Sequence, residues 1–197
     1  MTSAVTSFAS IGIDTLMTDG DRPDRRVRVV DWRSEWAQLF EDERVRLAGV
    51  FEDVPVEIEH VGSTAVRGLA AKPIIDISVG VESLGVVEER IGAIEALGYT
   101  YVPQYEDLMP DRRYFRRPVA HPRTHHVHCF VLGSPEWNRH VEFRDRLRAS
   151  PALTEAYAAL KRRLAAEFGD DREGYTEAKS SFIENALATT QPTEPNV

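Results

Sequence analysis

Residues Pro73-Ile74-Ile75-Asp76-Ile77-Ser78-Val79 form an apolar run of strand length with one acid in its middle, and that combination limits what the chain can become. The run predicts a buried strand over Pro73 to Val81. An ionised carboxylate inside it needs a compensating partner, for which a metal ion is the obvious candidate. The segment ahead of it, Val56-Glu57-Ile58-Glu59-His60-Val61, alternates apolar and polar side chains. Glu57, Glu59 and Val61 therefore share one face of a half-buried strand, and Val56, Ile58 and His60 the other. Gly62-Ser63-Thr64 ends that strand. A Gly-Ser turn exposes backbone N–H groups and a hydroxyl with little steric obstruction, which suits a phosphate chain. Magnesium takes one or two carboxylates together with phosphate oxygens and water, so the turn and Asp76 complement each other across a nucleoside triphosphate.

The rest of the chain places this pair of strands in an α+β arrangement, with a mixed sheet first and helices last. Residues 1–25 are rich in Ser, Thr, Asp and Gly without a sustained period, and are expected to be a flexible extension. Arg26 to Trp32 reads as a first strand, and Ser34 as the N-cap of a helix to Val50. Ser83 to Leu97 reads as one helix stopped by Gly98. Tyr99 to Val102, Arg113 to Arg117 and His125 to Leu132 are further strands. Helical periodicity then covers Pro135 to Arg148, Ala152 to Phe168 and Glu173 to Ala188, and 189–197 is a polar tail. A chain of 197 residues, 42% hydrophobic and 28% charged, builds one domain over 26–188. A net charge of −8 and a pI of 5.3 argue against a protein that coats nucleic acid. The single cysteine, Cys129, excludes an internal disulfide framework and fits a reducing compartment. No apolar run approaches the roughly 18 residues of a membrane span. The first cation is Arg22, unlike a signal peptide. The expectation is a cytoplasmic protein whose oligomeric state the sequence leaves open.

The segment His60-Val61-Gly62-Ser63-Thr64-Ala65-Val66, Gly68-Leu69, Ala71-Lys72-Pro73-Ile74-Ile75-Asp76 resembles the signature of the GrpB family, a branch of the nucleotidyltransferase superfamily. The resemblance continues through Tyr114-Phe115-Arg116, His126-Val127-His128, Phe143-Arg144-Asp145, Tyr157 with Lys161, and Tyr175 with Lys179. It implies a nucleotidyltransferase-like short mixed sheet flanked by helices, with the Gly-Ser turn and acidic strand at the active edge. It also implies a loosely defined activity, since members are assigned largely by similarity and some form an extension of dephospho-CoA kinase. This chain contains no Gly-x-x-x-x-Gly-Lys-Ser/Thr loop that would make it that kinase.

The sequence departs from the superfamily at one position that matters. Nucleotidyltransferases place two carboxylates two residues apart on the acidic strand, so that both share metal ions. Here the second position is Ser78, a poor magnesium ligand. Glu57 or Glu59 on the adjacent segment is placed to supply charge to the same edge. His126 and His128 share a strand face, and two imidazoles with a carboxylate from another strand suit zinc, manganese or iron. Against this, His121 and His125 lie in a basic loop with Arg116, Arg117 and Arg123, where histidines simply meet phosphate or solvent. Arg144, Lys161 and Lys179 in the helical third are candidate contacts for a triphosphate, or else solvated helix faces. The leading reading is transfer of a nucleoside monophosphate from a nucleoside triphosphate to a small-molecule acceptor. Gly62, Ser63, Thr64, Lys72, Arg144, Lys161 and Lys179 then hold the nucleotide, Asp76 with His126 and His128 holds a divalent metal (magnesium or manganese ahead of zinc), and Glu59 or His128 is the base. A non-catalytic nucleotide-binding module, and a His/carboxylate metalloenzyme acting on a small anion, are the alternatives.

Overall fold

The computed structural model describes residues 27–118 and 123–189. The flexible regions expected at 1–25 and 189–197, Thr189 apart, lie outside the described residues, as does His121. Five strands form one mixed sheet: β1 (Glu57–Val61), β2 (Ile75–Val81), β3 (Thr100–Tyr101), β4 (Arg112–Arg117) and β5 (His125–Val131), in the spatial order β1-β2-β5-β4-β3. β2 and β5 run parallel at the centre, and the other pairs are antiparallel. This is the expected α+β class, a short mixed sheet between helices with a helical C-terminal third.

The two sheet faces have different covers. Ile75, Ile77, Val79 and Val81 of β2 share one face with Val127 and Cys129 of β5 and Phe115 of β4. That face packs against Trp36, Leu47 and Phe51 around α1 (Glu35–Val50), Val87 of α2 (Leu84–Glu88) and Ile94 of α3 (Ile91–Ala96). The opposite face carries Asp76 and Ser78 and lies under α4 (Pro135–Ala149), α5 (Pro151–Phe168) and α6 (Arg172–Ala188). Gly80 of β2 opens that face: a Cβ there would collide with Leu132 and with the indole of Trp137, so the glycine lets Trp137 of α4 settle on the sheet. Ser134 and Ser150 cap α4 and α5, their hydroxyls accepting from the Trp137 and Leu153 amides at 3.3 and 3.2 Å. Ser34, expected to do the same for α1, precedes that helix without a side-chain capping bond.

Two expected elements came out differently. The strand read over Arg26 to Trp32 is an extended strap: Val30 makes one two-bond bridge to Ala71, and the Val27 amide bonds to the Gly169 carbonyl at 3.1 Å. Its apolar residues are divided between two cores, Val27 packing with Leu164 and Tyr175, and Val30 and Trp32 against the sheet core. The helix read over Ser83 to Leu97 is two short helices broken at Glu89-Arg90. Gly85, Gly92 and the β-branched Val86, Val87 and Ile91 lower its helical propensity. Arg90 seals the break, donating to the Val86 carbonyl at 3.0 Å and to Asp53 at 2.7 Å.

Two histidines are buried on the α1 face. His60 stacks on Phe40 of α1 at 4.7 Å, and His125 sits beside Arg117 and Thr124. His125 and its neighbours Arg116 and Arg117 are strand residues, a correction to the basic loop expected there. Burial pulls both imidazoles down to about 4, helped at His125 by the Arg117 charge. Both are therefore neutral in the fold at pH 6, whereas an unfolded histidine titrates near about 6.5. Between these values the unfolded chain binds the extra protons. Their contribution to stability is complete above about pH 6.5 and is lost as the pH falls toward 4. We expect Tm to decline through that window, and the His60→Gln/His125→Gln double variant to lose most of the slope between pH 6.5 and 5. An unchanged slope in the variant would contradict the assignment.

Candidate active site

Strand register builds the site. Asp76 lies opposite His126 in the parallel β2–β5 pair, and Ser78 opposite His128. Opposed residues point to one face, so two imidazoles of β5 stand beside the Asp76 carboxylate. His126 Nδ1 is 3.2 Å from Asp76 Oδ1, and one ligand atom from each of Asp76, His126 and His128 falls within 4.8 Å of the others. His126 Nε2 is buried with no hydrogen-bond partner. A buried imidazole nitrogen without a partner is costly unless a ligand takes its lone pair. Two imidazoles and one carboxylate fit a divalent transition metal better than magnesium, which prefers an all-oxygen shell. Ser78, where a second carboxylate was expected, is fully buried and its hydroxyl is unbonded.

The turn after β1 closes over the acid. Gly62 has φ +68°, and a Cβ there would overlap the Asp76 carboxylate, so only glycine brings the backbone this close. Ser63–Ala65 form one 3-10 turn. It is pinned from below by Thr64, whose hydroxyl donates to the Ile74 carbonyl at 3.1 Å. That uses the only hydroxyl proton, so His60 Nε2 donates to Thr64 Oγ1 at 3.0 Å. On the other side Ser63 is hydrogen-bonded to the Tyr157 hydroxyl of α5.

A cavity of about 240 Å³ opens between this edge and the helices. Gly62, Ser63, Thr64, Lys72, Asp76, His126, His128, Lys161 and Lys179 all line it. Three cations are held on aromatic rings: Lys72 and Lys179 over Tyr175, at 5.9 and 4.4 Å from its centroid, and Lys161 over Tyr157 at 4.7 Å. Lys161 is 2% exposed and donates to the Ala70 carbonyl. Burial, reinforced by the charges of Lys179, Arg162 and Lys72, pulls its pKa down to about 6. Such a cluster has room for negative charge.

Two expected site residues are placed elsewhere. Arg144 is buried outside the cavity lining, donating to Glu59 and the His60 carbonyl through Nη1, and to both Asp145 oxygens at 2.8 and 3.1 Å through Nε and Nη2. Glu59, its partner, is also absent from the lining. The pair ties α4 to β1. The lining includes side chains that local patterns do not single out for chemistry: Tyr114 of β4, edge-on to His126 at 5.5 Å, and Arg139 and His140 of α4. His140 Nδ1 donates to the Glu136 carbonyl at 2.7 Å, and burial pushes the pKa of the ring below the ordinary imidazole value. Tyr114 shares its face with Arg112 and Arg116 by simple alternation. Nothing in the period of α4 distinguishes Arg139 from a solvated arginine.

The sequence model of the GrpB protein family matches residues 26–189. The chain belongs to the GrpB family. It is 40% identical over 164 residues to UPF0157 protein YqkA of Bacillus subtilis, covering 83% of this chain and 47% of that protein, so it spans about half of YqkA. It is 34% identical over 163 residues to the glutamate-rich protein GrpB of Alkalihalophilus pseudofirmus, covering 82% of this chain and 94% of that one. Among solved structures, the GrpB protein from Enterococcus faecalis superposes with a TM-score of 0.74 at 36% identity, over 81% of this chain and 94% of that one. The mixed sheet and helical cover are thus a GrpB-family fold. Among the described residues no helix is long and apolar enough to cross a membrane.

Proposed function

We propose that this GrpB-family chain is a metal-dependent nucleotidyltransferase that moves a nucleoside monophosphate from a nucleoside triphosphate to a small-molecule acceptor. One observation carries the reading: the Gly62-Ser63 turn, the Asp76/His126/His128 set and the three lysines line a single cavity. The turn and Lys72, Lys161 and Lys179 would hold the phosphate tail. A phosphate beside Lys161 adds to the counter-charge of Asp76 and favours its protonated form. The lysines would then neutralise charge that develops on departing pyrophosphate. Asp76, His126 and His128 would hold the divalent ion, which when bound polarises a phosphoryl oxygen as a Lewis acid. With this donor set manganese is expected to support more turnover than magnesium. Of the two candidate bases, Glu59 is engaged by Arg144, whereas His128 faces the cavity and would act as base only where it is not a ligand of the ion.

The test is pyrophosphate release from each nucleoside triphosphate with manganese or magnesium and a panel of acceptors, run beside thermal-shift titration. Release favouring manganese supports the reading. A nucleotide-dependent rise in Tm without release from any acceptor favours the non-catalytic module. Absence of any Tm response to nucleotides and to divalent ions would remove the basis for both, because a ligand of the folded state must stabilise it. The metalloenzyme reading has its own support in the two-imidazole donor set and in a cavity below the roughly 300–1,000 Å³ of common ligand pockets. Metal-dependent hydrolysis of small phosphate esters, with no response to triphosphates, would select it.

A further inference from the structure

The cavity has a second charged end that the phosphate-binding lysines do not account for. In strand order the site runs from Gly62 at the edge of β1, through Asp76 and the β5 histidines, to Tyr114 of β4. The Tyr157–Ser63 contact places the lysine-bearing helices over the first end. On the β5 side His140 of α4 stands 5.8 Å from His128, and Arg139 and His140 line the cavity there. Arg139 Nη2 is buried there without a hydrogen-bond partner.

Arg112 stands on the same sheet face, two residues before Tyr114 and opposite Phe130. It is 2% exposed, and Nε, Nη1 and Nη2 all lack a hydrogen-bond partner. Arg112 is itself outside the cavity lining, and its guanidinium lies 5.2 Å from the centroid of Tyr114, which is part of it. Glu136 and Glu106 reach it only as neighbouring charges. Burial lowers its pKa only to about 10, so it remains a cation at neutral pH. Glu136, Arg139 and His140 fall on one side of α4 by their three- and four-residue spacing, and Arg112 is within electrostatic range of both Glu136 and His140. A desolvated guanidinium with three unused donor nitrogens is a poor structural choice. It is a good receptor for a planar oxyanion, which its fork matches in two parallel hydrogen bonds.

We infer that Arg139 in the lining, with Arg112 behind Tyr114, forms a carboxylate-binding subsite at this end of the cavity, and that the acceptor of the transfer is a small molecule carrying a carboxylate. The inference rests on the nucleotidyltransferase reading for the word acceptor, but the subsite itself does not depend on any turnover. Arginine at this end and lysine at the other divide the labour. The planar fork orients a carboxylate, and the point charges follow a flexible polyphosphate.

The test uses the full chain without nucleotide and compares acetate, succinate and L-glutamate with inorganic phosphate at matched ionic strength. At about ten times the dissociation constant a carboxylate should raise Tm by about 3 °C. Arg139→Met should abolish that rise and keep the response to phosphate, whereas Lys179→Met should do the reverse. Arg112→Met should also abolish the carboxylate response, with a ligand-free Tm equal to or above that of the parent because an unpaired buried charge is gone. The proposal is overturned if no carboxylate shifts the parent, if Arg139→Met leaves the carboxylate response intact, or if phosphate rather than carboxylate loses its effect in Arg139→Met. It is also overturned if Arg112→Met lowers Tm by several degrees with the carboxylate response unchanged, which marks a structural arginine. Should Arg112→Met fail to fold, Arg139→Met reads the same subsite. Loss of pyrophosphate release from every triphosphate with the carboxylate shifts retained would instead refute the transferase reading alone.

Discussion

Asp76→Asn is expected to lower any metal-dependent turnover by about 10³-fold and to remove the stabilisation that manganese or zinc confers, with little change in the ligand-free Tm. The size follows from what the carboxylate supplies. It is the one anionic member of the Asp76/His126/His128 set, and electrostatic stabilisation by a bound metal is worth several kcal/mol, each about 1.4 kcal/mol being tenfold in rate. The small structural effect follows from its surroundings. The Asp76 side chain is 31% exposed and lies within hydrogen-bond distance of His126 Nδ1, at 3.2 Å. Asparagine retains the shape that fits beneath Gly62 and loses the charge. Glu57→Gln is the matched control, an exposed acid on the same sheet face outside the cavity lining. Manganese titration followed by Tm, together with pyrophosphate release, checks both halves. A variant that keeps its metal response and its turnover would remove Asp76 from the site.

Arg144→Ala is expected to destabilise the fold by about 3 kcal/mol, a fall in Tm of roughly 6–12 °C for a domain of this size. The side chain is 6% exposed and joins three acceptors that it alone brings together: Glu59 and the His60 carbonyl on β1, and Asp145 beside it on α4. Truncation leaves a buried carbonyl unbonded and a partly buried carboxylate without its cation. Glu59→Gln keeps a hydrogen-bond acceptor and should cost less, about 1 kcal/mol. Thermal melts of the two variants decide between a structural role and the nucleotide contact expected from the family resemblance. An unchanged Tm with a lost nucleotide response would return Arg144 to the site.

These two residues show where sequence reasoning reached and where it stopped. Asp76 stood out because a lone acid in an apolar strand is anomalous within a few residues of itself. Arg144 lies among the polar residues of an ordinary helix, and its partner, Glu59, is 85 positions away. The alternation of β1, the Gly-Ser turn, the Asp76 anomaly, the two-residue histidine spacing and the three C-terminal helices were legible because each is written in local geometry: period two, period 3.6, a turn that favours glycine. The strap at Val27 to Val30 and the break between α2 and α3 were not. An extended chain acquires strand status only from a partner, here Ala71 alone. A helix of weak propensity is continuous or broken according to what it packs on.

The sequence by itself therefore determined the fold class, the family and the edge at which chemistry is to be sought. The tertiary structure decided who stands at that edge. Parallel register set His126 opposite Asp76, and helix packing brought Lys161 and Lys179 to the Gly-Ser turn while drawing Arg144 and Glu59 into a strut. It also brought Tyr114 and Arg139 to the far wall of the cavity and set Arg112 against the Tyr114 ring. The reason is physical. Backbone conformation is governed by neighbours a few residues apart. Which side chains meet across a sheet and beneath a helix depends on register and on docking between segments some fifty to ninety residues apart, and no local pattern encodes either.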